Sequence, residues 1–191
     1  MKKLNTLLAL VLLTGAAFAQ TTWNIDKPHS KIGFSVIHMV VSETEGNFKD
    51  FDGKVVSKNA DFDGADVEFT AKVASIDTDN ENRDKHLKSP DFFDAEKFPD
   101  VIFKGVLSKA GGKYQLKGKL TLKDVTKDVA FDVTYGGTVD TGKGTKAGFK
   151  LTGKINRQDY NLKWANKMQD GNAVVSDEVT LNVKIELNKA Q

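Results

Sequence analysis

The sequence contains no cysteine and only three prolines, and its charges nearly balance. The lack of cysteine excludes a disulfide framework, thiolate catalysis, a zinc–cysteine site and an acylated lipoprotein anchor. The 28 basic residues stand against 26 acidic ones, and loss of Lys2 and Lys3 with a leader would leave 28 − 2 = 26 of each sign. A chain without net positive charge has no electrostatic basis for binding nucleic acid. Sixteen glycines and 12 phenylalanines in 191 residues fit one domain with a sizeable core.

The first 19 residues have the pattern of a secretory signal. Lys2 and Lys3 precede an apolar run over residues 7–13, and Ala17-Phe18-Ala19 supplies a small-x-small cleavage site. The run is shorter than the about 20 residues that a membrane-spanning helix needs. We therefore predict removal of residues 1–19 and export of residues 20–191 as one domain, periplasmic if the host is a bacterium with two membranes.

Apolar and polar residues alternate along most of the chain after Pro28, which is typical of strands with one buried face. The alternation is clearest in residues 32–36, 67–73, 114–122, 129–135 and 179–187. Short polar turns at 110–112, 123–127 and 140–144 separate consecutive strands. We predict a mainly all-β fold, a single antiparallel barrel of about eight strands, because closure removes exposed sheet edges.

Three segments depart from this alternation. The polar stretch 77–88 offers Asx-type caps and stops before Pro90, which predicts a short helix near residues 80–88. Alternation also fades over residues 38–46 and over the polar stretch 157–171. We expect the sheet to be interrupted at both places.

A barrel of this size is either filled by its own side chains or holds one slender ligand. Glycines at 33, 118, 148 and 153 lie inside predicted strands, where glycine marks a bend or a close approach. Several inward apolar residues on different strands are candidates to line one lumen: Phe34, Val36, Phe69, Phe103, Phe131 and Phe149. Alternation alone does not distinguish a hollow barrel from a filled one.

Several stretches of the sequence share the pattern of one family. Residues 23–26 and 29–39 read WNID and HSKIGFSVIHM, residues 83–94 read RDKHLKSPDFFD, and residues 147–149 and 155–157 read AGF and INR. Over essentially the whole mature chain, the sequence resembles the YceI-like, polyisoprenoid-binding family. The resemblance implies a lipocalin-like barrel whose lumen takes a long isoprenoid chain, such as a quinone or polyprenyl phosphate tail. Asn161 departs from the family, since many members have glycine there, and this bears on the conformation of the 157–171 loop.

Four polar residues are candidates for contact with a lipid head group: His38, Arg83, His86 and Arg157. His38 shares strand parity with Phe34, so its imidazole points inward and either binds a head-group oxygen or makes only an interior hydrogen bond. Arg83 and His86 share one helical face and form either a polar clamp for the head group or a salt-bridged plug that fastens the helix across the barrel. Arg157 either pairs with Asp159 or faces the ligand.

Catalytic and metal motifs do not occur in the sequence. No Gly-x-Ser-x-Gly elbow or glycine-rich phosphate loop is found, and the three histidines lack metal-ligand spacing. With these motifs absent, we predict no catalytic residue, metal or cofactor, and the resemblance implies an isoprenoid-binding carrier or reservoir. Two alternatives stay open: a hydrolase or isomerase that uses His38 or His86 as general base, and an interaction module with a solid core. The resemblance also allows pairing into a homodimer, and Phe92, Phe93 and Trp164 either cover the barrel end or touch a membrane transiently.

Overall fold

The computed structural model describes residues 20–190, and the predicted signal at residues 1–19 lies outside them. The strands are β1 (Thr21–Ile25), β2 (Lys31–His38), β3 (Ser42–Phe48), β4 (Phe51–Ser57), β5 (Ala65–Lys72), β6 (Ile76–Asp77), β7 (Asp100–Ala110), β8 (Lys113–Leu122), β9 (Val125–Asp140), β10 (Thr145–Asn156) and β11 (Val175–Lys189). The helix α1 spans Glu81–Lys88. Short 3-10 turns span Lys27–His29, Val73–Ser75 and Arg157–Tyr160.

The eleven strand segments form a closed barrel of eight strands, because six of the segments make three pairs and each pair acts as one strand. β1 and β2 both pair with β11, so they act as one strand that is broken at residues 26–30. β4 is hydrogen-bonded to β1, and β3 to β2. β5 is hydrogen-bonded to β4, and β6 to β3. The ring continues through β7, β8, β9 and β10 to β11, with all neighbours antiparallel. The predicted barrel and its short helix are confirmed.

The predicted interruption at residues 38–46 is wrong in extent, because β3 begins at Ser42. β3 pairs with β2 from Ser42 to Phe48, and the break is confined to the turn at residues 39–41. Thr44 and Gly46 face Val36 and Phe34 across the strands. A threonine and a glycine on the inner face leave no apolar alternation, so the pattern fades although the strand continues.

An aromatic cluster closes one end of the barrel, which we call the plug end. Phe62, in the loop between β4 and β5, is 1% exposed. The centroid of its ring lies 5.0 Å from the ring centroids of both Trp23 and Phe149. Tyr135 stacks on Phe149 with the same centroid separation of 5.0 Å. These contacts fill the space between the strands, so the plug end is packed like an ordinary core.

The opposite end, which we call the helix end, holds α1 and the loop at residues 161–174. Asn80 caps α1, since its Oδ1 accepts a hydrogen bond of 2.9 Å from the backbone N–H of Arg83. The helix ends at Lys88, directly before Ser89-Pro90, as the sequence predicts. Within residues 20–190, no helix is long and apolar enough to cross a membrane.

Glycines on the inner wall face phenylalanines on the neighbouring strand. Phe34 pairs directly with Gly46, and a Cβ on Gly46 would overlap the Phe34 ring. A Cβ on Gly153 would likewise overlap the ring of Phe131. Each ring therefore lies against the wall, over a glycine, and extends less far into the lumen.

Phe103 uses the same arrangement on two strands at once. Gly105 and Gly118 are opposite each other in β7 and β8, and the tip of the Phe103 ring lies against both. The prediction that Gly118 and Gly153 mark close approaches is confirmed. Gly148 has another role, because the register of β9 and β10 shifts between Gly148 and Phe149, which is the bend that a β-bulge produces.

Lys146 holds the break between β1 and β2 against the rest of the barrel. Its Nζ lies 2.6 Å from Asp26 Oδ2 and 2.6 Å from Glu186 Oε1. The hydrogen bond from Lys146 lowers the pKa of Asp26 to about 2, and His29 contributes a weaker bond. Asp26 is therefore an ionised partner of this lysine at neutral pH.

We expect Gly153→Ala to lower the free energy of unfolding by about 1–3 kcal/mol, because the added methyl group forces the Phe131 ring off the wall. Gly148→Ala is the matched control, since nothing lies within 4 Å of a Cβ added there. That variant should be unchanged or up to about 1 kcal/mol more stable. Urea denaturation measures both. Equal destabilisation by the two variants would contradict the packing role of Gly153.

We expect Asp26→Asn to lower the free energy of unfolding at neutral pH by about 1–3 kcal/mol. The folded pKa of about 2 lies below the ordinary 3.8, so the carboxylate stabilises the fold above about pH 4, and this contribution fades as the pH falls toward 2. The variant should therefore lose part of the acid dependence of stability. Asp52→Asn is the control, since the side chain of Asp52 is 74% exposed beside Lys27 and should contribute less than about 1 kcal/mol. Acid titrations with the same slope for wild type and Asp26→Asn would refute this role.

Candidate functional site

The barrel encloses a cavity of about 590 Å³, within the range of about 300–1,000 Å³ typical of small-molecule sites. Its walls come from every barrel strand and are mainly aliphatic and aromatic, with β11 contributing Val175, Val179, Leu181, Val183, Ile185 and Leu187. The lumen is therefore hollow. This cavity excludes the alternative of an interaction module with a solid core.

The predicted lumen residues all line this one cavity: Phe34, Val36, Phe69, Phe103, Phe131 and Phe149. Phe103 and Phe131 are buried, and the other four are partly buried. The fold thus brings onto one inner surface the six side chains that alternation assigns to the inner faces of separate strands. Contact of these side chains with a ligand stays a prediction.

Polar side chains in the lining concentrate at the helix end. Apart from the paired side chains of Lys54 and Glu68, the polar lining residues are His38, Thr44, Thr78, Asn82, Arg83, His86 and Arg157. Asn82 and Arg83 are exposed as well as lining the cavity, so the cavity reaches the surface here. A ligand with an apolar tail and a polar head would fit with its head at this end.

His38 ends β2 and lines the cavity at the helix end. Its ring has no hydrogen-bond partner within residues 20–190, so the predicted interior hydrogen bond is not formed there. Both imidazole nitrogens are therefore available to another group. Of the two alternatives for His38, the geometry favours the one that leaves it available to a ligand.

Arg83 and Asp84 fasten α1 to the strand before it through one threonine. Arg83 donates from Nε to Thr78 Oγ1 at 2.8 Å and from Nη2 to the Thr78 carbonyl oxygen at 2.6 Å. Asp84 Oδ1 accepts from the Thr78 backbone N–H at 2.9 Å and from its hydroxyl at 2.5 Å. These bonds are local and join the first turn of α1 to the residue that follows β6, and the salt-bridged plug across the barrel stays a prediction. Within the described chain, Arg83 Nη1 makes no hydrogen bond, so the guanidinium still has donors at the cavity.

His86 belongs to a three-ring cluster beside the cavity. Its ring centroid lies 5.1 Å from Phe92 and 5.5 Å from Trp164, with both pairs edge to face. His86 Nε2 also lies 3.2 Å from Asp91 Oδ2. Phe92 is buried and Trp164 partly buried. These two rings therefore cover the barrel end, which favours the first of their two predicted roles.

Arg157 is a structural brace. It is 3% exposed, and burial lowers the pKa of its guanidinium while Asp177 opposes that shift. Its donors are used by the carbonyl oxygens of Ser176, Leu162, Trp164 and Val175 and by the Asp177 carboxylate, at 2.9, 2.6, 2.7, 3.4 and 2.8 Å. Five N–H groups thus have five acceptors. The ion pair is with Asp177 and not with Asp159, and Arg157 keeps no free donor for a head group.

Asn161 takes the conformation that a glycine would supply. Its φ of 59° and ψ of 22° are left-handed, and asparagine is among the few other residues that adopt this region readily. Its side-chain amide donates to Asp124 Oδ1 at 3.2 Å. Asparagine in place of glycine therefore still allows the left-handed turn after Tyr160. Tyr160 itself is buried, and burial raises the pKa of its hydroxyl group to about 12.

Sequence reasoning missed two kinds of lining residue. Thr44 and Asn82 line the polar end, but neither belongs to a motif that marks it. The inward residues of β11 line most of the length of the cavity, and their alternation could have assigned them to the lumen. The predicted lumen residues are mostly phenylalanines, whereas aliphatic residues supply much of the wall.

Asp26, His29 and Glu186 form a group whose potential metal-ligand atoms lie within 4.8 Å of one another. The ammonium of Lys146 bonds to both carboxylates at 2.6 Å. A protein cation thus already lies between the two carboxylates and offsets one of their two charges. We treat it as the fastening of the β1–β2 break.

Comparisons with known proteins agree with this architecture. The model of the YceI-like domain matches residues 23–187. The chain belongs to the YceI-like family. It is 38% identical over 184 residues to the UPF0312 protein plu2095 of Photorhabdus laumondii, covering 91% of this chain and 96% of the relative.

Two solved structures resemble this YceI-like chain. Burkholderia cenocepacia BcnA is 26% identical with a TM-score of 0.73, covering 85% of this chain and 98% of that one. A polyisoprenoid binding domain from Saccharophagus degradans, implicated in plant cell wall breakdown, is 12% identical with a TM-score of 0.66. That match covers 88% of this chain and 98% of the domain, and at this identity it establishes the shared fold.

We expect Arg157→Lys to lower the free energy of unfolding by about 2–4 kcal/mol, because lysine has three donors in place of five and leaves buried carbonyl groups without partners. Arg83→Lys should lower it by less than about 1 kcal/mol, since Arg83 is exposed. Thermal and urea unfolding of the two variants provide the comparison. If Arg83→Lys were as destabilising as Arg157→Lys, the division between brace and available donor would be wrong.

Proposed function

We propose that this YceI-like protein is an exported carrier or reservoir that holds an isoprenoid lipid, of quinone or polyprenyl type, in the barrel lumen. The observation that carries the proposal is the cavity of about 590 Å³ with apolar walls and polar side chains at one end. A long hydrocarbon tail matches such walls, and a small polar head matches the helix end. The Saccharophagus domain, described as polyisoprenoid binding, has the same fold and adds support.

The energetics favour exchange with a membrane over irreversible capture. Burial contributes about 0.8 kcal/mol per CH₂ relative to water, so several isoprene units offset an association cost of roughly 4–15 kcal/mol. The tail is already dry in a bilayer, however, and its move into the lumen changes the free energy little. Head-group contacts then decide which lipid is preferred.

Three side chains are suited to those contacts. His38 has no partner within the described residues, Arg83 keeps free donors, and His86 lines the same cavity. Imidazole and guanidinium groups donate to quinone carbonyl or phosphate oxygens. Arg157 leaves this set because its donors are used within the protein.

The geometry supports binding over catalysis. A general base is normally oriented by a third group, and His38 has no such partner within residues 20–190. His86 has Asp91 at 3.2 Å, but its ring is packed edge-on against Phe92 and Trp164. We therefore place both histidines at the head group without a catalytic role.

The protein purified from its own host should carry a prenyl lipid that native mass spectrometry and organic extraction detect. We expect Val183→Trp to reduce the bound amount about tenfold, because the indole fills the lumen. Lys184→Trp is the matched control, since the neighbouring position points to the outer face and should keep the lipid.

Two kinds of outcome would reject the proposal. In one, no prenyl lipid accompanies the wild-type protein, or any fatty chain is held equally well. In the other, the lipid is converted on incubation and the conversion disappears in His38→Ala or His86→Ala, which would establish the enzyme alternative. Export is tested separately by the N-terminal sequence of the mature protein, which should begin at Gln20.

A further inference from the structure

The end of β2 and the turn between β2 and β3 together expose four apolar side chains. Ile37, Met39, Val40 and Val41 are 46, 43, 64 and 86% exposed. They stand at the tip of one hairpin at the helix end. Single exposed aliphatic residues are ordinary on a protein surface, but a cluster at a protruding turn marks an interaction site.

The backbone of this turn is strained for the residues it contains. Met39 and Val40 have φ values of 49° and 66°, and the N–H of Val41 bonds to the carbonyl oxygen of His38 at 3.2 Å. This left-handed geometry normally holds Asn-Gly or similar pairs, and a β-branched valine is disfavoured there. Met-Val at this place therefore combines an unfavourable backbone conformation with exposed apolar side chains.

The tip is fixed to the rim of the lumen. His38, within the tip, lines the cavity, and the N–H of Met39 bonds at 2.9 Å to the carbonyl oxygen of Val174, which also lines it. The N–H of Ile37 bonds to Ser176 Oγ at 3.0 Å. A lipid that leaves the helix end therefore passes close to these side chains.

The size of the tip decides between its occupants. Four side chains fall far short of the about 800 Å² per partner that a stable protein interface buries. Insertion into a bilayer needs no matching surface, since each apolar side chain that reaches the acyl region contributes separately. We propose that the tip formed by residues 37–41 inserts into a lipid surface and sets the helix end against the membrane.

This inference rests on the proposed carrier function for its purpose, and its test is independent of the prenyl ligand. The mature chain is floated with vesicles of phosphatidylethanolamine and phosphatidylglycerol that contain no prenyl lipid. Val41→Thr should reduce association about three- to tenfold. Val139→Thr, the same change at a valine that is 57% exposed near the plug end, should leave it unchanged.

A second variant separates loss of docking from loss of folding. Met39→Asn combined with Val40→Gly installs the preferred turn pair, so we expect a higher urea midpoint together with about tenfold weaker flotation. Lipid content after purification should match wild type. Equal effects of Val41→Thr and Val139→Thr, or full flotation of the double variant, would overturn the proposal.

Two further outcomes would point to a different role for the tip or for the lumen. A hairpin variant that changes the mass in sedimentation equilibrium but not flotation would assign the tip to a second copy and overturn docking on lipid. Wild-type protein that floats with vesicles but never carries a prenyl lipid would support docking and reject the carrier function.

Discussion

The cross-strand contact between phenylalanine and glycine on the inner wall is the constraint on which the lumen depends. An eight-stranded barrel is narrow enough for its own side chains to fill it. Phe34 over Gly46, Phe131 over Gly153 and Phe103 over Gly105 and Gly118 place large rings against the sheet. The rings thereby bury apolar area and cover exposed backbone, as in aromatic rescue of strand glycines. The same contacts leave space along the barrel axis.

A hollow barrel must be closed by other means, and its two ends do this differently. The plug end packs Phe62 against Trp23 and Phe149. The helix end is held by hydrogen bonds. Thr78 bonds to Asp84 of α1, and Arg157 donates to the carbonyl oxygens of Leu162 and Trp164 in the loop. Opening the helix end exposes the rings of Phe92 and Trp164 but leaves the packed plug end intact, and hydrogen bonds to water replace the polar fastenings. Because of this asymmetry, we expect a ligand to enter and leave through the helix end.

The sequence predicts the barrel and the lumen side chains because burial on one face leaves a period of two in each strand. It also predicts α1, since Asn80 and Pro90 bound the helix locally. The hollow interior is not predictable in this way, because it depends on which residue lies across from each phenylalanine in another strand. The pairing of Arg157 with Asp177, 20 residues away, fails for the same reason. Nearby Asp159 looks equally suitable until the loop is folded.

The residues suited to function are those that the fold leaves unsatisfied. Arg157 has the chemistry of a head-group ligand, yet five acceptors within the protein use its donors. His38 and the Nη1 group of Arg83 lie in the same lining without such partners among the described residues. Met39 and Val40 have a disfavoured backbone conformation, and their apolar side chains are exposed. Free donors at the lumen and a strained apolar tip at its rim are both explained if the helix end meets a lipid: its head group inside, and its bilayer outside.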